Sequence, residues 1–525
     1  MTETIRLLPA GENAMMAELS DLAAVQDLHG TLTAGPDRGI TDLVPAARTL
    51  LLRWDPLRTD RAKIEQLIAT HIGRAGHRPP GREIEIPVVY DGEDLAEVAR
   101  LLGLSVEALV ARHQAARFSV AFNGFVPGFA YMVSDDPGLE VPRRTSPRLR
   151  IPAGSIAMAG PFSGIYPSDT PGGWQLLGRT PLQLWEPERD PAALLAPGDL
   201  VRFRAIVETL APPVPVARVT LPATMPLRGI TVTRVDWRAT FQDLGRAGQA
   251  RQGVPVSGAL DRASLKAANR AMGNAPGEAT IEILNGGFAL RAESPLTAIV
   301  TGADVPLSVI NSAGNRQPFV VGQPIALDLG DTLELGVAQA GVMSYLAVRG
   351  GFTLAHHLGS AATDTLSRLG PPMIKPGDGI VLARRPALAV SVRSERPTPV
   401  TRSGETVTLD LLPGPRADWF TPAALDLLTN QPWQVTGASD RIGLRLSGIE
   451  SLVRAVTQEL PSEGTVRGAL QVPGSGQPIL FQADHPLTGG YPVIAILAAH
   501  DQDRAAQIPP GAWIRFRPSV APPSK

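Results

Sequence analysis

The chain has 525 residues, of which 44% are hydrophobic and 19% are charged, and its formal net charge is −1. This length predicts three or four domains with their own cores, and the many glycines and prolines predict frequent turns. A nearly neutral chain has no overall field to attract nucleic acid or an anionic membrane, so neither is expected as a partner. Because the chain has no cysteine, disulfides, thiolate metal sites and thiol nucleophiles are excluded.

Residues 1–82 are predicted to form a small α+β domain. Helical periodicity at 22–33 and 60–75 flanks a strand-like run at Thr49–Trp54. The first twenty residues lack the charged start and apolar stretch of a signal peptide, and no run reaches the roughly 18 apolar residues of a membrane helix. We therefore expect a cytoplasmic protein.

Residues 83–209 are predicted to form a β-barrel or a β-sandwich. They begin with a strand at 84–90 and a helical segment at 94–115, which Gly103 interrupts and in which Ser105 can cap a second helix. Beyond this segment, short β-prone runs alternate with glycine and proline.

Residues 210–229 contain five prolines and are predicted to be an extended linker. The following module, 230–392, is predicted to be rich in strands and to contain one helix at 261–273, with Asp261 as its N-cap and Gly273 at its end. A soft boundary at 391–405 separates it from a last β module, 393–525.

A repeat supports this division. The pair TPGGW (170–174) and PGDLVRFR (197–204) recurs as LTGGY (487–491) and PGAWIRFR (510–517), which predicts a duplicated β-barrel module. In VRFR and IRFR, the two-residue period of a strand predicts that the apolar side chains face inward and the arginines outward.

Several catalytic motifs are absent. The sequence has no phosphate-binding GxxxxGK[ST], no GxGxxG after a strand and no GxSxG elbow. It has no Met-Lys-Met either, and MIK at 373–375 is not a substitute, so covalent biotin is not expected.

Two glycine-rich segments in the first half are candidate binding loops. In FSVAFNGFVPGFAYM (118–132), turn amides and Asn123 can line a site for a small planar ligand, although an aromatic barrel corner would explain the same residues. In SGIYPSDTPGGWQLLGRT (163–180), Gly172 and Gly173 beside Arg179 can hold a phosphate or carboxylate, unless this is a hairpin with an exposed arginine.

Charges cluster on glycine-rich loops in the second half, within TFQDLGRAGQARQGVPVSGALDR (240–262), SDRIGLRL (439–446), SEGTVRGALQVP (462–473) and QADHPLTGGYP (482–492). Carboxylates there can bind Mg²⁺ or act as bases, and arginines can hold carboxylate or phosphate. Internal ion pairs are the alternative explanation. The acids are Asp440, Glu463 and Asp484, the arginines are Arg441, Arg445 and Arg467, and His485 is a weak candidate for moving a proton.

These motifs resemble a known family. FNGFVPGFAYM and SIAMAGPFSGIYPSDTPGGWQLLGRTP resemble the Kip-inhibitor-type proteins, also called allophanate hydrolase subunit 1 and the B subunit of 5-oxoprolinase. The second-half motifs, with YLAVRGGF and LGSAATD, resemble the Kip-antagonist family, also called allophanate hydrolase subunit 2 and the C subunit of 5-oxoprolinase. The resemblance covers about 1–210 and 225–520, and it implies duplicated cyclophilin-like β-barrels. Ala361 and Ala362 stand where the family often has a polar residue, so that loop is given no ligand role.

The resemblance implies an ATP-dependent 5-oxoprolinase component that activates 5-oxo-L-proline and opens it to L-glutamate together with the separate A subunit of 5-oxoprolinase. ATP and nucleotide-associated Mg²⁺ are the expected cofactors, no dedicated metal site is predicted, and a homo-oligomer is left open. Asp440, Glu463 and Asp484 are the candidate catalytic acids, one of which would contact Mg²⁺. The Gly172–Gly173 and Gly489–Gly490 turns would cradle phosphates, and Arg441 or Arg445 would hold the substrate carboxylate. The candidate residues for binding substrate or nucleotide are Asn123, Gly124, Phe125, Gly128, Tyr131, Tyr166, Gly172, Gly173, Trp174, Arg179, Asp243, Arg246, Asp261, Arg441, Arg445, Gln471, Thr488, Gly489, Gly490 and Tyr491.

Two alternatives follow from the same resemblance. The modules are similar to the carboxyltransferase part of urea carboxylase, which implies a urea-type amide as substrate. The Kip-type proteins regulate a histidine kinase, which implies a non-enzymatic regulator. Permanent fusion of an inhibitor to its antagonist makes poor regulatory sense, so the enzyme is favoured.

Overall fold

The computed structural model of the chain describes residues 5–35, 38–73, 81–207, 229–392 and 396–519. Strands make up 37% and helices 15% of the structure, which confirms the predicted mainly β fold with duplicated barrel modules. Within the described ranges, no helix is long and apolar enough to cross a membrane.

The N-terminal unit, residues 5–73, is an antiparallel sheet in the order β1-β2-β4-β3 with two helices on one face. Its elements are β1 (Arg6–Pro9), β2 (Ala14–Glu18), α1 (Leu22–Ala34), β3 (Ile40–Pro45), β4 (Thr49–Trp54) and α2 (Arg61–His71). Asp21 and Asp60 cap the helices by accepting hydrogen bonds from backbone N–H groups three residues on. In β4, Leu50 and Leu52 face the helices while Leu51 packs on the opposite face.

The first barrel, residues 81–207, is built on a seven-stranded sheet in the order β12-β9-β10-β7-β6-β13-β5. A bridge between Val89 and Arg179 links its two edges, so the barrel is nearly closed. Its elements are β5 (Glu83–Val88), α3 (Leu95–Leu101), α4 (Val106–Ala115), β6 (Phe118–Asn123), β7 (Ala130–Ser134), β8 (Arg148–Ile151), β9 (Ser155–Ala159), β10 (Phe162–Ile165), β11 (Thr170–Gly172), β12 (Gln175–Arg179) and β13 (Leu200–Ala205).

The central unit, residues 229–392, packs a six-stranded sheet on a five-stranded one around a shared apolar core. Its elements are β14 (Gly229–Val235), β15 (Ala239–Gln242), α5 (Arg262–Ala271), β16 (Thr280–Leu284), β17 (Gly286–Ala292), β18 (Leu296–Asp304), β19 (Leu307–Ile310), β20 (Arg316–Phe319), β21 (Ile325–Leu327), β22 (Thr332–Val337), β23 (Ala340–Val348) and β24 (Gly379–Val381), with a 3₁₀ turn at Ala250–Gln252. α5 packs on β18 and β23.

The second barrel, residues 396–519, is closed in the order β25-β32-β29-β30-β27-β26-β33. Its elements are β25 (Thr406–Pro413), α6 (Pro422–Asn430), β26 (Trp433–Val435), β27 (Gly443–Ser447), β28 (Glu463–Gly464), β29 (Ala469–Gln471), β30 (Ile479–Phe481), β31 (Thr488–Gly489), β32 (Val493–Leu497), α7 (Gln502–Ala505) and β33 (Trp513–Pro518), with 3₁₀ turns at Ala417–Trp419 and Ala499–Asp501.

The sequence repeat corresponds to equivalent strands of the two barrels. β13 runs parallel to β5, and β33 runs parallel to β25 in the same way. Val201 and Phe203 are buried in the first case, as Ile514 and Phe516 are in the second, while the intervening arginines are exposed. The predicted inward and outward alternation is therefore confirmed.

The predicted helices at 94–115 and 261–273 are present with the expected caps, because Ser105 and Asp261 each accept from a backbone N–H three residues on. Two helices of the second barrel, α6 and the four-residue α7, were not predicted. Thr421 caps α6 and Pro422 begins it, but its nine residues are too short for a clear helical period. The domain boundaries stay predictions, and the linker at 210–229 lies outside the described residues except for Gly229.

The N-terminal unit contacts the second barrel although they stand at opposite ends of the chain. Leu51 and Val44 from its sheet share an apolar cluster with Val466 and Ile496 of the barrel. At its margin, the buried Arg416 bridges Glu18 of β2 at 2.9 Å and Glu463 of β28. The fold thus brings loops from all four units together around the second barrel.

Candidate functional site

The aromatic turn between β6 and β7 lies where the first barrel meets both other β units. Asn123 donates through Nδ2 to the carbonyl oxygens of Leu195 at 3.1 Å and Arg251 at 2.9 Å. The backbone N–H of Gly128 donates to Gln252 O at 3.0 Å. The turn is thus anchored to the central unit on one side.

On its other side, the turn is bound by the loop of the second barrel that was predicted as a binding loop. The backbone N–H of Phe125 donates to Thr488 Oγ1 at 2.9 Å. Phe125 has a positive φ of 64°, which a residue other than glycine rarely adopts. A Cβ on Gly124 would lie 2.5 Å from Thr488 Oγ1, so only glycine allows this close approach.

Aromatic rings fill the space behind the turn. Phe129 contacts Tyr131, Tyr166 and Trp174 edge-on, with ring centroids 5.0 to 5.3 Å apart. Burial raises the pKa of Tyr131 and of Tyr166, so both phenols remain neutral and can donate hydrogen bonds. Tyr131 interacts with the side chains of Ser462 and Thr488.

The glycines predicted to cradle phosphate are not in left-handed turns. Gly172 and Gly489 lie in short strands, and none of Gly172, Gly173, Gly489 and Gly490 has a positive φ. A backbone nest needs alternating left- and right-handed residues, so these loops do not form one. A Cβ on Gly172 would lie 2.4 Å from Tyr166 Oη, which gives this glycine a packing role. Arg179 pairs with Asp91 at 2.7 Å rather than standing beside them.

A second group of predicted residues forms a buried ion network between the central unit and the second barrel. Arg441 is fully buried and binds both carboxylate oxygens of Asp484 at 2.9 Å, together with Glu282 and Gly258 O. Ser257 Oγ and Thr365 complete the coordination of Asp484. Burial alone would raise the pKa of Asp484, but the charge and hydrogen bonds of Arg441 hold it below its usual value.

The three predicted acids are not brought together. Glu463 binds the guanidinium of Arg416, and burial raises its pKa against that charge. Asp440 accepts hydrogen bonds from the backbone N–H groups of Ile442 at 2.8 Å and Gly443 at 3.1 Å, as a turn-stabilising residue does. Each carboxylate serves a separate set of contacts, so the three do not form a shared Mg²⁺ site.

Asp243, Arg246 and Asp261 hold loops in place. Asp243 accepts from Ser360 Oγ and from the N–H of Ala361, both at 2.7 Å, and Arg246 donates to Ala362 O. Asp243 and Arg246 thus bind the backbone of Ala361 and Ala362. Asp261 caps α5 and also binds Thr398 and Gln507.

The remaining predicted residues differ in exposure. Gln471 donates to Tyr491 O at 3.2 Å and lies against Gly489, so it supports the Thr488 loop. Tyr491 is half-exposed and packs beneath the guanidinium of Arg454 at 5.6 Å. Arg445 is exposed on β27. Arg441, buried among carboxylates, is therefore a poor holder of a substrate carboxylate, whereas the role of the exposed Arg445 stays a prediction.

One group in the described part of the chain has the donor spacing of a metal site: Asp410, His500 and Asp501. Arg517 already binds Asp410 at 2.7 Å, and Asp501 accepts from the N–H of Asp410. These contacts account for the group without an ion.

Sequence reasoning missed several residues of the junction. Arg143 influences both Tyr131 and Tyr166 and pairs with Glu459 at 3.0 Å. Gln252 and Ser462 bind the aromatic turn and its tyrosine. A basic run at 143–150 was the available signal for Arg143, whereas Gln252 and Ser462 lie within the quoted segments 240–262 and 462–473 but were not singled out there.

Two family models match the two halves of the chain. Residues 5–195 match the model of the carboxyltransferase domain, subdomain C and D, and residues 252–518 match that of subdomain A and B. The chain therefore belongs to the carboxyltransferase-domain family. Its particular form joins a segment similar to the B subunit of 5-oxoprolinase to a segment similar to the C subunit, which confirms the resemblance seen in the motifs.

Individual relatives support both segments. The 5-oxoprolinase B subunit from Escherichia coli O157:H7 is 52% identical over 128 residues, which are 24% of this chain and 59% of that protein. The 5-oxoprolinase C subunit from Escherichia coli K12 is 32% identical over 55% of this chain and 90% of its own length. The crystal structure of TTHA0988 covers 98% of this chain and 99% of that one, with 35% identity and a TM-score of 0.82.

Proposed function

We propose that this chain is the fused B and C component of an ATP-dependent 5-oxoprolinase that works with a separate A subunit. One observation carries the proposal: segments similar to the two subunits follow each other in one chain and bind each other through their predicted binding loops. That contact is the hydrogen bond from Phe125 N–H to Thr488 Oγ1.

The reaction needs activation because a lactam carbonyl is a poor electrophile. In the proposed sequence, the lactam oxygen attacks the γ-phosphorus of ATP and ADP leaves. Water then adds to the activated carbon, and the ring nitrogen takes up a proton and departs as an amine. A second water hydrolyses the resulting γ-glutamyl phosphate to L-glutamate and phosphate. ATP supplies the phosphoryl group, and Mg²⁺ enters with the nucleotide.

The aromatic junction is the proposed place of substrate orientation. Tyr131 and Tyr166 keep their protons because burial raises the pKa of both, so they can donate to a carbonyl oxygen. Arg143 adds a positive charge beside them. The Arg441–Asp484 network is assigned a positioning role, since it locks the second barrel to the central unit without an exposed oxygen for chemistry.

The test measures ADP and glutamate from ATP and 5-oxo-L-proline, with the purified chain alone and mixed with a cognate A subunit. We expect glutamate only in the mixture. Tyr131→Phe, which removes one hydroxyl, should lower kcat, and Thr353→Val at an exposed threonine should not. A mixture in which the A subunit binds the chain but neither ADP nor glutamate forms would overturn the proposal.

A urea-type amide is the second candidate, because urea amidolyase from Lachancea kluyveri is 28% identical over 53% of this chain and 16% of its own length. The same assay distinguishes the two, with urea or allophanate replacing 5-oxo-L-proline. Amide-dependent turnover with these compounds and none with the lactam would favour the second candidate.

A further inference from the structure

A polar cavity of about 230 Å³ lies where the N-terminal unit, the central unit and the second barrel meet. Three arginines line it, and each comes from a different unit: Arg53 from β4, Arg262 from the start of α5, and Arg467 from the loop before β29. Asn13 and Ser257 add further polar atoms to the lining. The motifs assigned to 5-oxo-L-proline do not account for this convergence of positive charge.

The guanidinium groups are incompletely satisfied. The side chain of Arg467 is 10% exposed and donates to Leu260 O, yet its Nε and Nη1 have no hydrogen-bond partner among the described residues. Within the same ranges, Nε of Arg262 also has none. Buried charged donors without acceptors are costly, and this cost disappears when an anion accepts from them.

The nearby carboxylates do not neutralise these groups by hydrogen bonding. Asp503 accepts instead from the backbone N–H groups of Arg262 and Ala263, and its Oδ1 lies 3.6 Å from Arg467 Nη2. Asp42 is 4.0 Å from Arg53. Glu12 is the carboxylate on the lining itself, while Asp503 and Asp42 stand outside it in long ion pairs with Arg467 and Arg53.

Electrostatics agree with this geometry. Burial, and then the charges of Arg467 and Arg53, lower the pKa of Arg262 to about 9. Burial lowers the pKa of His485, on the same lining, to about 4, with Arg53 and Arg467 acting in the same direction. His485 is therefore neutral at pH 7, and the positive charge on the lining comes from the arginines.

We propose that this cavity binds a phosphate group through Arg53, Arg262 and Arg467. Arginine is suited to phosphate, whose several oxygens accept charge-assisted hydrogen bonds from different directions, as three guanidiniums from three units would supply them. The cavity is smaller than the roughly 300 to 1,000 Å³ typical of drug-sized ligands, so it suits a phosphate group and not a whole nucleotide. The group can come from inorganic phosphate or from the phosphate tail of a nucleotide that extends outward.

Calorimetric titration of the full chain at constant ionic strength tests the proposal, with orthophosphate, ADP, ATP and acetate as separate probes. We expect saturable binding of orthophosphate, or of a nucleotide whose binding orthophosphate competes away, and none of acetate. Orthophosphate binding alone identifies the free ion, and competed nucleotide binding identifies the nucleotide tail. Equal binding of acetate, or no saturable binding of any phosphate compound, would overturn the proposal.

Variants locate the site. Arg53→Gln and Arg262→Gln should each weaken phosphate binding about tenfold or more, because each removes a charge-assisted donor. Arg53→Gln should disturb folding less than Arg262→Gln, because the Arg53 side chain is one-third exposed. Arg202→Gln, at an exposed arginine on β13 of the first barrel, is the matched control and should bind as the unaltered chain does. Folded Arg53 and Arg262 variants, verified by circular dichroism, that bind phosphate normally would refute the site.

The binding assay does not depend on turnover, so its outcome is separate from that of the 5-oxoprolinase assay. A chain that binds phosphate but converts no lactam would keep the site and lose the proposed substrate. A chain that converts the lactam but binds no phosphate in this cavity would keep the proposed function and lose the proposed phosphate site.

Discussion

Thr488 Oγ1 accepts a hydrogen bond at 2.9 Å from the backbone N–H of Phe125, although 363 positions of sequence separate the two residues. The approach is close because Gly124 has no side chain to block it. The contact fixes the aromatic turn of the first barrel against the Thr488 loop of the second, which was predicted to bind a ligand. The Thr488 hydroxyl is thus one of the contacts that join the half similar to the B subunit to the half similar to the C subunit.

Thr488→Val should therefore destabilise the protein by about 1–3 kcal/mol, the cost of leaving a buried N–H without an acceptor. The measurement is urea unfolding followed by circular dichroism and by the fluorescence of the seven tryptophans. Thr353→Val, at an exposed threonine, controls for the substitution itself and should change stability little. Equal stability of the two variants would show that water replaces the hydroxyl.

Asp484→Asn tests the buried network. The substitution removes one charge of a fully buried pair, so Arg441 keeps only Glu282 as a carboxylate partner. We expect a loss of about 1–3 kcal/mol, because asparagine cannot accept both charge-assisted hydrogen bonds from Arg441, while Glu282 still neutralises the guanidinium. Differential scanning calorimetry measures the loss directly.

Asp440→Asn is the matched comparison, since asparagine also accepts hydrogen bonds from backbone N–H groups in turns. Its stability should stay within about 1 kcal/mol of the original chain. If Asp484→Asn were as stable as Asp440→Asn but inactive in the assay with the A subunit, Asp484 would be a catalytic acid and not a structural one.

How far the sequence predicts the site depends on the kind of residue. The turn at Gly124 and Gly128 and the loop at Thr488 were predicted because glycine and proline determine local backbone shape, which a single sequence records. Their contact was not predictable, since it joins separate units. The second-barrel strand at 513–518 was predicted from its two-residue period for the same local reason.

The roles of the charged residues were predicted less well from the sequence. Arg441 and Asp484 were assigned to substrate and catalysis, yet they bind each other in a region without exposure to solvent. Sequence shows that two charges exist but not whether they face each other or a ligand. The three cavity arginines show the same limit, because Arg53, Arg262 and Arg467 come together only through packing of three units.

Asp364 should limit stability at high pH. Burial and the charge of Asp484 raise the pKa of Asp364, and its Oδ2 has no hydrogen-bond partner among the described residues. A raised folded-state pKa gives stability that is complete below the unfolded pKa and is lost as pH rises through the folded value. Asp364→Asn cannot ionise, so it should be about 1–2 kcal/mol more stable than the original chain at pH 8.5.

Urea unfolding at pH 8.5, 7.0 and 5.5 measures this difference, which should shrink as pH falls. Asp440→Asn serves as control, since its partly exposed carboxylate already accepts two backbone N–H groups. A pH-independent loss of stability in Asp364→Asn would instead mean that Asp364 is ionised and bound in the folded protein.

Buried histidines should make the protein acid-sensitive. Burial lowers the pKa of His29 and His485 to about 4 and that of His113 to about 3. Because these folded-state values lie below the unfolded value of about 6.5, the unfolded chain takes up protons first as pH falls. Stability from the neutral histidines is therefore complete above pH 6.5 and is lost progressively toward pH 4.

His113→Gln isolates one of these contributions. His113 is stacked on Phe203 at 4.5 Å and bonded to Tyr90 Oη, so the variant loses some stability at pH 7.5. It should nevertheless lose less than the original chain between pH 6.0 and 4.5, by about 1.4 kcal/mol for each pH unit well below 6.5. Thr353→Val, at an exposed residue that does not titrate, is the control and should keep the original slope. Parallel curves of unfolding free energy against pH for His113→Gln and the original chain would mean that His113 gains its proton equally in the folded and unfolded states.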